Sequence, residues 1–457
     1  MRETGTRVRV EDEPGRWCRD CGYELRGLPM PRCPECGRAF DLANPHTYRR
    51  RPIRRWLRRV TRTAIVVLTP ILLLAATWGW LYWGWNSEQE AVRTLDMGSR
   101  RSTARVHFSS LLGPWPRAHL GRAGFVLDRA TKVEIGYRFD SIDLAPVACL
   151  TRLQSVSIGN CAVRDLTPLT KLPRLQVLRI GESSVSDLTS LADLTRLQTL
   201  SITGKFGHMP FGVIPSPPVL PSLYKLSQLR ELCLQDVTDS DLRPLSGLTS
   251  LERLELEDPA LRDLAPLGGL VNLRVLMVRG KYVEDLGPLA NLKKLRQLNI
   301  AVMRVKDLSS LAGLTELREL KLRYTDIKGI EPMADLTQLQ KLDLAFTRVS
   351  DVGPLAKLTQ LQELDLLATG VNDPSPLAGL TRLQSLNLYG THITNVAPLA
   401  ALTQLQTLDL GGTKVTNLAP LVTLTRLQSL RLPSKERVSE EDVDGLRHAL
   451  PGCAITR

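Results

Sequence analysis

The sequence predicts an α/β solenoid built from short repeats, carried behind a small cysteine module and one membrane-crossing helix. Three observations predict it. Leucine recurs at positions 150, 172, 194, 226, 248, 270, 292, 314, 336, 358, 380, 402 and 424, and eleven of the twelve intervals are 22 residues. A fixed period of that length marks stacked supersecondary units. Residues 63–87 form a run of twenty-five without a charged side chain. Cys18, Cys21, Cys33 and Cys36 form two C-x-x-C-G sequences, with eleven residues between Cys21 and Cys33.

The cysteine module occupies residues 1–48. Each two-residue gap lets one tight turn aim both sulfurs at a shared point, so the four thiolates suit a tetrahedral zinc ion, the expected cofactor. Gly22 and Gly37 follow the pairs where a residue free to take positive φ turns backbone amides toward sulfur. The stretch resembles a small zinc ribbon, with Tyr23, Leu25, Leu28 and Phe40 as its apolar cover. Two disulfides are the alternative for four cysteines. The module holds eight Arg against eight Asp+Glu. A neutral module lacks the cationic surplus that phosphate binding requires, so a structural or protein-binding role is expected and nucleic acid is not.

Residues 49–62 contain eight arginines and no acid, which is most of the +13 net charge of the 457-residue chain. The uncharged run follows directly and exceeds the roughly 20 residues a helix needs to cross a bilayer. One span over 63–85 is expected, with Pro70 inside it and Trp78, Trp80, Tyr82, Trp83 and Trp85 as an aromatic belt at one end. A cleaved signal peptide is the competing reading, and the long charged segment before the run argues against it. The arginines set orientation and contact anionic headgroups of the lipid bilayer. Residues 1–62 then face the cytoplasm, and the repeats are extracytoplasmic.

After a linker or N-terminal cap over 86–127, the repeats fill 128–432. A typical unit runs Leu402-Thr-Gln-Leu405-Gln-Thr-Leu408-Asp-Leu410-Gly-Gly-Thr413-Lys-Val415-Thr-Asn417-Leu418-Ala-Pro420-Leu421. Leu408-x-Leu410 alternates with period two and predicts a short strand. Thr413 falls at the turn, Val415 and Leu418 fill the interior, and Pro420 directs a short irregular or helical return. Residues 433–457 break the register with helical leucine spacing and predict a C-terminal cap. Earlier units place Cys161, Ser183, Pro259, Lys281 and Met303 where Thr325, Thr347, Thr369, Thr391 and Thr413 later recur.

This pattern resembles the 22-residue leucine-rich repeats of bacterial internalin-like proteins over about residues 128–457. The resemblance implies a right-handed arc with a parallel sheet on its concave face, where members of the family bind other macromolecules.

Candidate contacts follow from the columns. Asp343, Asp365, Asn387 and Asp409 stack on the concave face, where like charges on adjacent strands are unfavourable unless a cation or donor-rich partner relieves them. A solvated, screened row is the alternative. Tyr324, Phe346 and Tyr389 lie just past the strand ends as possible aromatic anchors. The one long interval places an insertion over 203–219, stiffened by proline, in which Phe206 and Phe211 have little local core. It is either a partner contact or a loop folded back on its unit. Cys149 replaces an interior aliphatic and is expected as a small buried hydrophobe. Neither G-x-S-x-G, H-E-x-x-H nor a phosphate-binding loop occurs, so no enzyme is expected. The expected function is a membrane-anchored protein whose repeats bind a protein, peptide or glycan. Alternatives are an adaptor coupling external binding to a cytosolic partner of the ribbon, and a structural element of the envelope.

Overall fold

The structure, a computed structural model, describes residues 15–50, 55–97, 103–110, 128–136, 141–159, 162–163, 165–181, 184–185, 188–203, 220–235 and 241–457. Two compact units result, residues 1–84 and 85–457.

In the first unit, the two-residue strands Trp17–Cys18 and Tyr48–Arg49 pair antiparallel. Cys18, Leu25, Cys33, Phe40 and Tyr48 form its apolar cluster, with Leu28 against it. Tyr23, expected in the cover, is 41% exposed. Tyr48 takes that place because the strand pair carries its ring over the cysteines. The helix Arg55–Met97 contains Pro70 and extends beyond the span expected over 63–85. Its apolar side chains stand in the open, Leu74 at 69% and Trp80 at 68%. Among the described residues no helix is long and apolar enough to cross a membrane. The side chains of residues 63–67, which begin the uncharged run, lie outside the described residues.

In the second unit, part of the expected linker is regular structure. Ala91, on the helix, joins the repeat core, and a carboxylate oxygen of Glu88 accepts from the Ala130 amide at 3.2 Å. The strand Thr103–Ser110 pairs antiparallel with Asp128–Gly136 and closes one end of the sheet. From Asp128–Gly136 onward the strands pair in parallel, each with the next unit. Beyond the cap helix Glu440–Ala449, whose first turn is capped by Ser439, the strand Ala454–Thr456 closes the other end. The interior is a nearly continuous column of leucines. None could be buried within a single unit, so stacking creates the core.

Most of the described turns on the far side begin with an Asp or Asn whose task the leucine pattern did not reveal. Asp285 accepts from the Gly287 amide at 2.7 Å, Asp307 from Ser309 at 2.8 Å, Asp351 from Gly353 at 2.7 Å and Asn417 from Ala419 at 2.9 Å. The Asp or Asn thus caps the 3-10 turn in these units, while Gly329 stands at that position before Glu331–Met333. Cys149 ends one such turn and is exposed, contrary to expectation, because its position faces out of the return rather than into the core.

Strand length changes along the arc. Strands from Ser155–Gly159 to Gln297–Ala301 are five residues long, whereas those from Glu319–Lys321 to Ser429–Arg431 are three. The cause is a hydrogen-bond exchange. The Leu322 amide donates to the Asp343 carbonyl at 2.8 Å, so a regular parallel ladder would return the Ala345 amide to the Leu322 carbonyl. Asp343 captures that amide instead, at 2.9 Å. The Thr325 hydroxyl then supplies Leu322 with a donor at 2.6 Å. Asp365, Asn387 and Asp409 capture the amides of Leu367, Tyr389 and Gly411 in the same way. Thr347, Thr369, Thr391 and Thr413 donate to the carbonyls of Leu344, Leu366, Leu388 and Leu410. All five threonines are buried, so each hydroxyl does more than mark a turn.

Candidate thiolate centre and binding rim

The two C-x-x-C-G sequences fold alike. The Gly22 amide donates to the Cys18 carbonyl and the Gly37 amide to the Cys33 carbonyl, while the Cys18 and Cys33 amides donate to the Tyr23 and Arg38 carbonyls. Gly22 and Gly37 take φ of 74° and 71°, a conformation that favours glycine. The ligand atoms of Cys18, Cys21, Cys33 and Cys36 all lie within 4.8 Å of one another. A zinc–sulfur bond of about 2.3 Å in tetrahedral geometry separates sulfurs by ~3.8 Å, so the four positions fit the ion. The cysteines are free thiols rather than disulfides. Burial raises the Cys18 thiol, but the backbone amides of Cys21 and Asp20 outweigh it and bring it down to about 7.

In the repeat unit the concave residues line up as the register requires, with Lys321 opposite Asp343, Asp343 opposite Asp365, Asp365 opposite Asn387 and Asn387 opposite Asp409. The row is occupied from within the chain. One oxygen of each side chain holds the backbone amide already described. Arg323 Nη2 reaches Asp365 at 3.2 Å and its Nε lies 3.5 Å from Asp343, while Arg431 lies 3.8 Å from Asp409. Burial nevertheless raises the Asp365 carboxyl, and Asp343 adds to the shift.

The same arginines join this row to the aromatic rim. Tyr324 and Phe346 stack with centroids 4.5 Å apart and planes within 10°, and the Arg323 guanidinium lies 5.8 and 5.6 Å from the two rings. Arg431 lies 4.9 Å from the Tyr389 ring. Tyr324 is 51% exposed and Phe346 40%. Their backbones are left-handed, with φ of 59° and 57°; Val302 and Ala368 occupy the same column at 63° and 53°, and Gly390 and Gly412 complete it. Such a backbone is strained for residues with a Cβ. Two aromatic side chains are therefore held in water on positions where glycine would be easier. The pattern of leucines carried no sign that Arg323 and Arg431 pair with this row, because their partners lie one or two units away. Phe206 and Phe211, with the rest of 204–219, lie outside the described residues.

Comparison with known proteins places the repeats. The family of leucine-rich repeats (two copies) matches residues 337–380 and 381–422. An internalin from Listeria monocytogenes is 27% identical, with a TM-score of 0.58 over 69% of this chain and 92% of that one. A leucine-rich-repeat protein from Leptospira interrogans has the same fold at 20% identity and a TM-score of 0.57, over 68% of this chain and 92% of that one. No curated protein matches the sequence. The long parallel sheet and its 22-residue period carry leucine-rich repeats, matched over residues 337–422, in a fold similar to that of an internalin.

Proposed function

We propose that this chain is a membrane-anchored binding protein whose leucine-rich repeats take a protein partner on the rim formed by Tyr324, Phe346 and Tyr389. The observation that carries the reading is the exposed Tyr324–Phe346 stack on left-handed backbone. Strain of this kind persists where surrounding structure maintains it, and it concentrates at functional positions. Exposed aromatic groups with an adjacent arginine are also the commonest anchors of protein interfaces. The uncharged run after eight arginines supports an anchor with residues 1–62 cytoplasmic and the repeats outside. Four convergent thiolates support zinc in the ribbon.

The test is site-specific photocrosslinking of the full-length protein in native membranes. A crosslinker at Phe346 or Tyr324 should give one discrete adduct that is not formed from Cys149 on the opposite side of the repeats. The double change Tyr324→Gly and Phe346→Gly relieves backbone strain, so it should abolish the adduct formed from Tyr389 while the repeats stay folded. Equal adducts from Cys149, or an undiminished adduct in the glycine variant, would sink the reading. External protease added to spheroplasts should remove a C-terminal tag, and protection of that tag would reverse the orientation.

A further inference from the structure

Tyr282 lies on the loop after the strand Val275–Arg279 and is surrounded by cations from three successive units. The Arg262 guanidinium is 4.7 Å from its ring centroid, the Arg304 guanidinium 5.4 Å and the Lys281 ammonium 5.9 Å. All three cations are exposed. Other arginines nearby are neutralised, Arg279 by Glu257 at 3.5 Å and Arg348 by Asp326 at 3.2 Å. Arg262, Lys281 and Arg304 have no acidic partner among the described residues.

The closest carboxylates in sequence do not relieve them. Asp263, Asp285 and Asp307 cap the returns by accepting from Ala265, Gly287 and Ser309 at 2.7, 2.7 and 2.8 Å. Glu284 forms no ion pair among the described residues. One aromatic ring attracts a cation through its faces, yet here three positive charges share one ring and repel one another. Three cations without acidic partners around one ring make a cationic patch that attracts an anion with several acceptor oxygens.

We infer that Arg262, Lys281 and Arg304 form an oxyanion site around Tyr282 that takes a phosphate or sulfate group. Guanidinium presents paired N–H donors that match such oxygens, and ammonium adds a movable donor. A tetrahedral dianion offers oxygens in several directions and enough charge for three cations, which a single carboxylate does not. The columns supply the geometry: Arg304 follows Tyr282 by one 22-residue period, and Arg262 comes from the unit before. This site stands apart from the Tyr324–Phe346 stack, and its ligand is an anion rather than a protein.

Equilibrium dialysis of the full-length protein in zwitterionic detergent tests it, with radiolabelled inorganic sulfate and inorganic phosphate as probes. Saturable binding of one anion per chain is expected, weakening as salt rises. Arg262→Gln and Arg304→Gln should each weaken it roughly tenfold, the effect of losing one charge-assisted contact. Lys281→Gln gives a third, independent reduction. All three residues are exposed, and unchanged melting of the variants verifies folding. Arg348→Gln, which removes an equal charge from a paired position, should leave binding unchanged. A monosaccharide sulfate ester separates the sources of the group: tighter binding than inorganic sulfate identifies an anion carried on a larger molecule, and equal binding a free one. Absence of saturable binding, or an equal loss in Arg348→Gln, overturns the proposal.

Discussion

The hydroxyl of Thr347 occupies the Leu344 carbonyl at 2.7 Å because Asp365 has drawn away the Leu367 amide, which it holds at 3.0 Å. The two side chains belong to adjacent units and act as one exchange. Thr347→Val keeps the shape and removes the donor, leaving a buried carbonyl short of a partner at a cost of about 1 kcal/mol. In an Asp365→Ala background the Leu367 amide is free to return to Leu344, so the same substitution should cost less. A double-mutant cycle by urea unfolding should give a coupling of roughly 0.5–1 kcal/mol, and slower amide exchange at Leu367 in Asp365→Ala should accompany it. Strictly additive effects would show that the two bonds are independent.

The left-handed column can be read through glycine. Ala368 takes φ of 53° and its side chain is exposed, so Ala368→Gly loses little contact and should stabilise the repeats by about 1 kcal/mol. Gly412→Ala should destabilise them by more, since its φ is 68° and an added Cβ would sit 3.3 Å from the Gly390 amide nitrogen. Thermal melting of both variants checks the pair. Ala368→Gly melting below the parent protein would show that the column carries no strain.

Asp365 supplies a dependence on pH. Burial, with Asp343 adding, raises its carboxyl above the ordinary value of 3.8, so the folded chain holds that proton more tightly than the unfolded chain. The linked stability is complete below the ordinary value and is lost as pH rises through the raised one. Asp365→Asn keeps an oxygen for the Leu367 amide and cannot ionise. Its stability relative to the parent should therefore rise as pH increases from the acid limit to neutrality. A constant or falling difference in urea midpoints would contradict the assignment.

The repeats were legible in the sequence because burial imposes one constraint on every unit: leucine must return at fixed spacing to reach a shared core. Register followed from the same spacing, so Asp343, Asp365, Asn387 and Asp409 could be placed in one row. Their task could not be read there. An aspartate that meets a ligand and one that holds the amide two residues ahead have the same sequence, and the choice depends on whether Thr325 or Thr347 waits in the preceding unit. Exposure failed for Cys149 because it stands one position from the buried Leu150, and for Tyr23 because it stands two positions from the buried Leu25 in a module with no repeat to set its side. The strand Thr103–Ser110 lacks any repeat spacing, so its pairing could not be inferred from period.

The four-cysteine module allows a direct test of the proposed metal. Among the described residues its buried apolar cluster is Cys18, Leu25, Cys33, Phe40 and Tyr48, with Cys21 and Leu28 against it, and the leucines form a cluster of their own. So few apolar side chains offset little of the entropy of ordering the surrounding chain. Zinc held by the four thiolates, as proposed, would contribute folding energy directly. Purified full-length protein should contain one zinc per chain, and cobalt substitution should give the intense thiolate bands of a tetrahedral centre. Chelation should abolish amide protection across residues 15–50 while leaving melting of the repeats unchanged, because the two clusters belong to different compact units. Cys33→Ser should produce the same selective loss. Full protection of residues 15–50 after chelation would show that the fold of this module does not depend on the ion.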